Sequence, residues 1–137
     1  VAGIADLSVL LRTMQPELSP EPYGFTLQQQ PPAGAFATVA ESEGLTVVAP
    51  TSLLPAKQEW ARISLTVHSD LAAVGLTAAI ARALADEAIS ANVIAGLFHD
   101  HVFVPWERRH DALRALQGLA RADQTQIERR QNSTHSG

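Results

Sequence analysis

Two periods alternate along the second half of this chain. From Arg62 to Ser69 apolar and polar positions change one by one. Ile63, Leu65 and Val67 fall on one side, Ser64, Thr66 and His68 on the other. A period of two predicts a strand packed on one face. From Gly75 to Ala88 the spacing lengthens to three or four. Leu76, Ile80, Leu84 and Ala88 then share one stripe, which predicts a helix. "NVIAGLF" predicts a strand, "HDH" a turn and "VFVP" a further strand. Residues 106–122 predict a second helix with Leu113, Leu116 and Leu119 inward. From Asp123 the polar run predicts a frayed, disordered tail.

The first half carries weaker versions of the same signals. Leu7, Leu10, Leu11 and Met14 predict a short helix capped by Asp6. The three prolines of "QPELSPEP" break it. "YGFTLQQ" predicts a strand, "PPAG" a turn, "AFATVAES" a second strand, "EG" a tight turn and "LTVVAP" a third strand. "TSLLPAKQEW" predicts a short helix beginning at Thr51 or Ser52 and interrupted or ended by Pro55. "EGLTVVAPTSLLPAK" and "DHVFVPWERRHDAL" share one plan of turn, strand, proline and helix, which points to duplication. The expected organisation is a reduced module with a leading helix at 1–57, a βαββα module at 58–122 and a tail at 123–137.

Composition narrows the function classes. The formal net charge is −4, and residues 1–60 hold two basic against six acidic side chains. A binder of nucleic-acid backbone needs a basic face, so nucleic acid is not an expected partner. The chain has no cysteine, which removes disulfides, thiolate metal sites and a cysteine nucleophile and fits a reducing compartment. No apolar run reaches the roughly 20 residues that span a bilayer. The start, "VAGIADLSVLLRTMQ", lacks the basic region of a secretory signal. A cytoplasmic protein without membrane contact is the expectation.

The run "LTVHSDLAAVGLTAAIARALADEAISANVIAGLFHDHVFVP" resembles the ACT domain, strongly from Arg62 to Pro105 and weakly before Leu45. It is similar to small bacterial proteins built of two ACT modules, to which the ACT modules of animal arginine sensors are related. The resemblance implies an α+β, ferredoxin-like fold of two tandem modules, the first reduced, with antiparallel sheets covered by helices on one face. It also implies a regulatory or sensing role without chemistry of its own. The implied ligand is a free amino acid, the implied partners are a homodimer mate and a separate downstream protein, and no cofactor is implied. The usual ACT loop reads Asp-x-Pro-Gly. Here Val74 precedes Gly75, and Asp70 stands five residues before the glycine.

The loop itself has the physics of a small-anion site. A helix N-terminus presents unpaired N–H groups and about half a positive charge. Gly75 admits close approach, so an amino-acid carboxylate fits there, with Asp70 as acceptor for its ammonium. Val74 and Leu76 flank the glycine, and Ser69 lies between His68 and Asp70. Counting from the strand, the polar positions of serine-sensing ACT modules match His68, Asp70 and Ser90. Counting back from Gly75 they match Asp70 and Ala72. Ser90 and Asn92 are expected to share a face near this loop. Equally, Asp70 serves as a simple turn residue, and Ser90 and Asn92 as ordinary polar edge groups.

Two other function classes remain open. ACT-like units also pair to assemble without ligand, and mixed polarity on the uncovered sheet face, with Ile94 and Phe98, calls for a second copy or tight pairing of the halves. His99 and His101 offer imidazoles for a small metal-dependent enzyme, or line a ligand pocket, but they need a third ligand such as His68 or His110. No triad elbow, P-loop or dinucleotide fingerprint is present in the sequence.

Overall fold

The computed structural model describes residues 3, 6–67 and 70–135, with residues 123–127 described as helical backbone. Helix α1 spans Leu7–Thr13, and the Asp6 carboxylate accepts from the Val9 N–H at 3.1 Å. The strands are β1 (Pro16–Gln28), β2 (Ala37–Glu41), β3 (Gly44–Pro50) and β4 (Trp60–Leu65). Helix α2 (Leu76–Asp86), β5 (Asn92–Ala95) and β6 (Asp100–Pro105) follow. A 3₁₀ turn over Trp106–Arg108 leads into α3 (Arg109–Thr134). All pairings are antiparallel, and the six strands form one sheet in the order β2-β3-β1-β4-β6-β5. Exchanging β1 for β4, β2 for β5 and β3 for β6 maps that order onto its reverse. The duplication read from the sequence is thus a pseudo-twofold about the β1/β4 boundary.

The prolines predicted to break the chain instead lie inside a 13-residue strand. Pro16–Tyr23 pairs with β4, with a register shift between Leu18 and Pro22, and Tyr23–Gln28 pairs with β3. Pro16, Pro20 and Pro22 all sit where β1 has a neighbour on one side only. There a missing N–H costs no ladder bond. The helix expected in "TSLLPAKQEW" is a single turn, closed by the N–H groups of Leu53 and Leu54 on the Pro50 carbonyl. Pro55 disfavours a helical Leu54 and stops it. The turn expected at "HDH" falls earlier, where the Gly96 N–H donates to the His99 carbonyl, so Asp100 and His101 are strand residues. Residues 123–134, expected as tail, continue α3.

The helices cover one sheet face. Leu10, Leu76, Ile80, Leu84, Ala112 and Leu116 pack there on Ala61, Ile63, Leu65, Val102 and Val104. Ala88 does not continue the α2 stripe. It adopts φ 56° in a left-handed stop, with Ile89 N–H on the Leu84 carbonyl and Ala88 N–H on that of Ala85. This is a Schellman motif with alanine where glycine is favoured. Ala88→Gly is therefore expected to raise stability by about 0.5–1 kcal/mol, read as a higher midpoint in urea; an unchanged or lower midpoint counts against strain at this residue.

On the other face the sheet curls over itself. In a flat sheet the β2 and β6 positions lie about 19 Å apart. Yet the Phe36 ring, just ahead of β2, meets the His101 ring of β6 at 4.9 Å. A second core fills the concavity, built on Tyr23, Val48 and Phe103 with Phe36, Trp60 and Ile94 against it. Ile94 thus finds cover within the chain, through pairing of the two halves. Phe98 lies in the β5–β6 connection and is 59% exposed.

Candidate functional site

The β4–α2 loop closes on itself. The Asp70 carboxylate accepts the Ala72 N–H at 2.7 Å, and the Asp70 carbonyl accepts from Ala73 at 2.9 Å. Asp70 therefore holds its own turn. Gly75 takes φ 98° at the start of α2, and a side chain there would meet Leu7 Cδ2 of α1 at 3.0 Å. That leucine covers the glycine side of the helix entrance. The remaining hollow, bounded by Asp70, Leu76, Thr77, Ala95 and Asp100, measures about 80 Å³. That is small beside the roughly 300–1,000 Å³ of small-molecule sites. Leu76 points into the helix-side core, while Val74 is 83% exposed. His68 and Ser69 lie outside the described residues.

Ser90 and Asn92 are not brought to this loop. The chain climbs β4, turns at the loop, and descends α2, whose 11 residues are about 16 Å long. Strand β5 therefore starts at the far end, and Ala95, not Asn92, reaches the loop hollow. Asn92 stands about 10 Å down the strand. The expected closeness of Ser90 and Asn92 to Gly75 fails because β4 and β5, each antiparallel to β6, run parallel to one another, so α2 must carry the chain back along the sheet before β5 begins.

Asn92 instead lines a pocket of about 590 Å³ at the seam between the two halves, within the roughly 300–1,000 Å³ of small-molecule sites. Phe25 and Leu27 come from β1, Lys57 and Gln58 from the linker, Trp60 from β4 and Asn92 from β5. The Phe25 and Trp60 rings meet edge to face at 5.9 Å. β1 leaves β4 after Tyr23 to pair with β3, and the divergence opens the gap. Other surface hollows of about 500 and 570 Å³ are each built by one half alone. The sequence reading missed five of these six residues. One signal was available, since Lys57 is the single lysine against nine arginines.

Among the described residues the histidines do not converge on a metal geometry. The His101 Nδ1 lies 2.8 Å from Ser64 Oγ on the concave face, and His99 Nδ1 lies 3.4 Å from the Val67 carbonyl. Among the described residues no three His, Asp or Glu side chains gather as ligands. Burial holds His101 below its ordinary value near 6.5; the Arg62 and His99 charges act the same way, and Asp100 opposes them. Protonation thus favours the unfolded chain. His101 contributes stability in full above about pH 6.5, lost as pH falls through the lower folded value. Between pH 7.5 and 5 the melting temperature of wild type should fall further than that of His101→Gln. Parallel curves would show that the ring does not titrate in this range.

Residues 56–118 match a family model of the ACT domain, and residues 2–56 match a second ACT domain model. A solved protein of unknown function from Vibrio cholerae, described as a possible transport protein, is 42% identical. The match covers 83% of this chain and 95% of that one, with a TM-score of 0.71. The chain belongs to the ACT domain family, whose modules are typically ligand-binding and regulatory. It carries two such modules in tandem. A protein from Agobacterium tumefaciens shares the fold at 14% identity and TM-score 0.66, over 78% of this chain and 89% of that one. The ligand-free regulatory subunit of aspartate kinase from Thermus thermophilus does so at 9% identity and TM-score 0.55, over 78% and 98%. No match is found among proteins of curated function. Among the described residues no helix is long and apolar enough to cross a membrane.

Proposed function

We propose that this protein is a regulatory module that binds a free amino acid at the seam between its two ACT modules and performs no chemistry itself. One observation carries the reading: the pocket of about 590 Å³ is walled by both modules and the segment joining them. A ligand there bridges the modules and so favours one arrangement of them over others. The bound state is then passed to a separate protein, and the chain works as a homodimer. Thermal melting against the twenty amino acids tests the reading. A ligand at 100 times its Kd that binds only the folded state adds about 2.7 kcal/mol. For a chain of this size that raises the melting temperature by roughly 10 °C. Flat melts across the whole panel would sink it.

A second reading, assembly without ligand, is favoured by exposed apolar side chains in the connections at the opposite end of β4 and β6. Leu71, Val74 and Leu97 are 65%, 83% and 65% exposed on the β4–α2 loop and the β5–β6 connection. Sedimentation separates the two: a dimer indifferent to every amino acid supports assembly.

A further inference from the structure

The chemistry of the seam pocket goes beyond its location. Resting on the reading that a small ligand occupies this seam, the geometry points to a carboxylate with an uncharged, apolar body, its carboxylate on Lys57 and its body against Phe25, Leu27 and Trp60. Three apolar side chains face water in the same concavity. Leu27 is 63% exposed and Phe25 36%, and Trp60 is half-buried beside them. Covering exposed aromatic and aliphatic surface of this kind rewards an apolar guest by about fourfold in affinity per methylene.

Charge then selects the polar end. Among the described residues that line the pocket, Lys57 is the lone cation and none is acidic. Glu59, the nearest carboxylate in sequence, receives the Thr51 hydroxyl at 3.2 Å instead. A guest with a cationic side chain has no counter-charge here and meets Lys57 with like sign. A guest carboxylate gains a charge-assisted bond. Gln58 and Asn92 are neutral amides, able to accept from an ammonium or donate to the second carboxylate oxygen. The pocket therefore fits an amino acid such as phenylalanine or leucine and rejects arginine and lysine.

Calorimetric titration of the full chain tests this with L-phenylalanine, L-leucine, L-arginine, L-lysine, phenylalaninamide and phenylacetate. Phenylalanine and leucine are expected to bind at least tenfold tighter than arginine, lysine and the amide, which lacks the carboxylate. Lys57→Gln, at an exposed position, should weaken phenylalanine tenfold or more while the unliganded melting temperature stays put. Arginine binding tighter than leucine, or full affinity in Lys57→Gln, overturns the ligand class and leaves the amino-acid reading standing. Phenylacetate binding while all amino acids stay silent does the reverse. Silence from all six overturns both.

Discussion

Phe103→Ala is expected to cost about 3–5 kcal/mol of folding stability, a large part of what a domain this size possesses. Phe103 is fully buried on β6, in the second module, but its ring partners come from the first. Tyr23, Phe25 and Phe36 lie 5.7, 5.4 and 5.5 Å away, each edge to face. Removing the ring leaves a cavity where the two halves of the curled sheet meet, and three aromatic contacts go with it. Neither half can close the gap without moving the β1/β4 junction. Urea titration reads the loss directly, and Phe103→Leu, which fills part of the space, should lose clearly less. If the alanine variant lost under 1 kcal/mol, the halves would be held together elsewhere.

Gly24→Ala should damage both stability and binding, through a single methyl group. A Cβ at Gly24 would collide with Ala56 Cβ, closer than carbon atoms approach. Strand β1 is anchored by β3, so the linker must yield, and the linker carries Lys57 and Gln58 of the pocket. A forced shift of this kind costs about 1–3 kcal/mol. Loss of pocket shape should weaken the ligand at least tenfold, because the Lys57 ammonium moves with its backbone. The clash names its own remedy. Ala56→Gly removes the opposing Cβ, and the next atoms, Thr51 Cγ2 at 3.5 Å and Ala56 Cα at 3.8 Å, are ordinary contacts. The double variant should recover most of the stability lost in Gly24→Ala. No recovery would falsify the steric account.

Arg62 adds a feature of the same concave face. Its guanidinium lies over the Tyr23 and Phe36 rings at 5.1 and 4.7 Å, and its buried Nε has no hydrogen-bond partner among the described residues. The ring faces compensate part of the desolvation of this cation. Its charge also helps keep the neighbouring His101 neutral.

Periodicity alone placed β4, α2, β5 and α3 and the duplication that relates the halves, because burial on one face leaves a pattern every two or every three to four residues. The same local signals failed where a neighbour decides. Pro20 and Pro22 look like chain breakers until β1 is seen to have its second partner only from Tyr23 onward. Asp100 looks like a turn residue until β6 extends to pair with β5. At the loop, the glycine and the aspartate were legible as a turn opening a helix, which they are. The packing of Leu7 against Gly75 was not legible, since that side chain arrives from 68 residues earlier. Asn92 was picked out as a polar strand residue but assigned to the wrong end, because no local pattern records which edge of a sheet a strand starts from. Phe25, Lys57 and Trp60 meet around it only when β1 parts from β4. A pocket is a property of surfaces distant in sequence, and those surfaces come together through the curl of the sheet rather than through any one segment's preference.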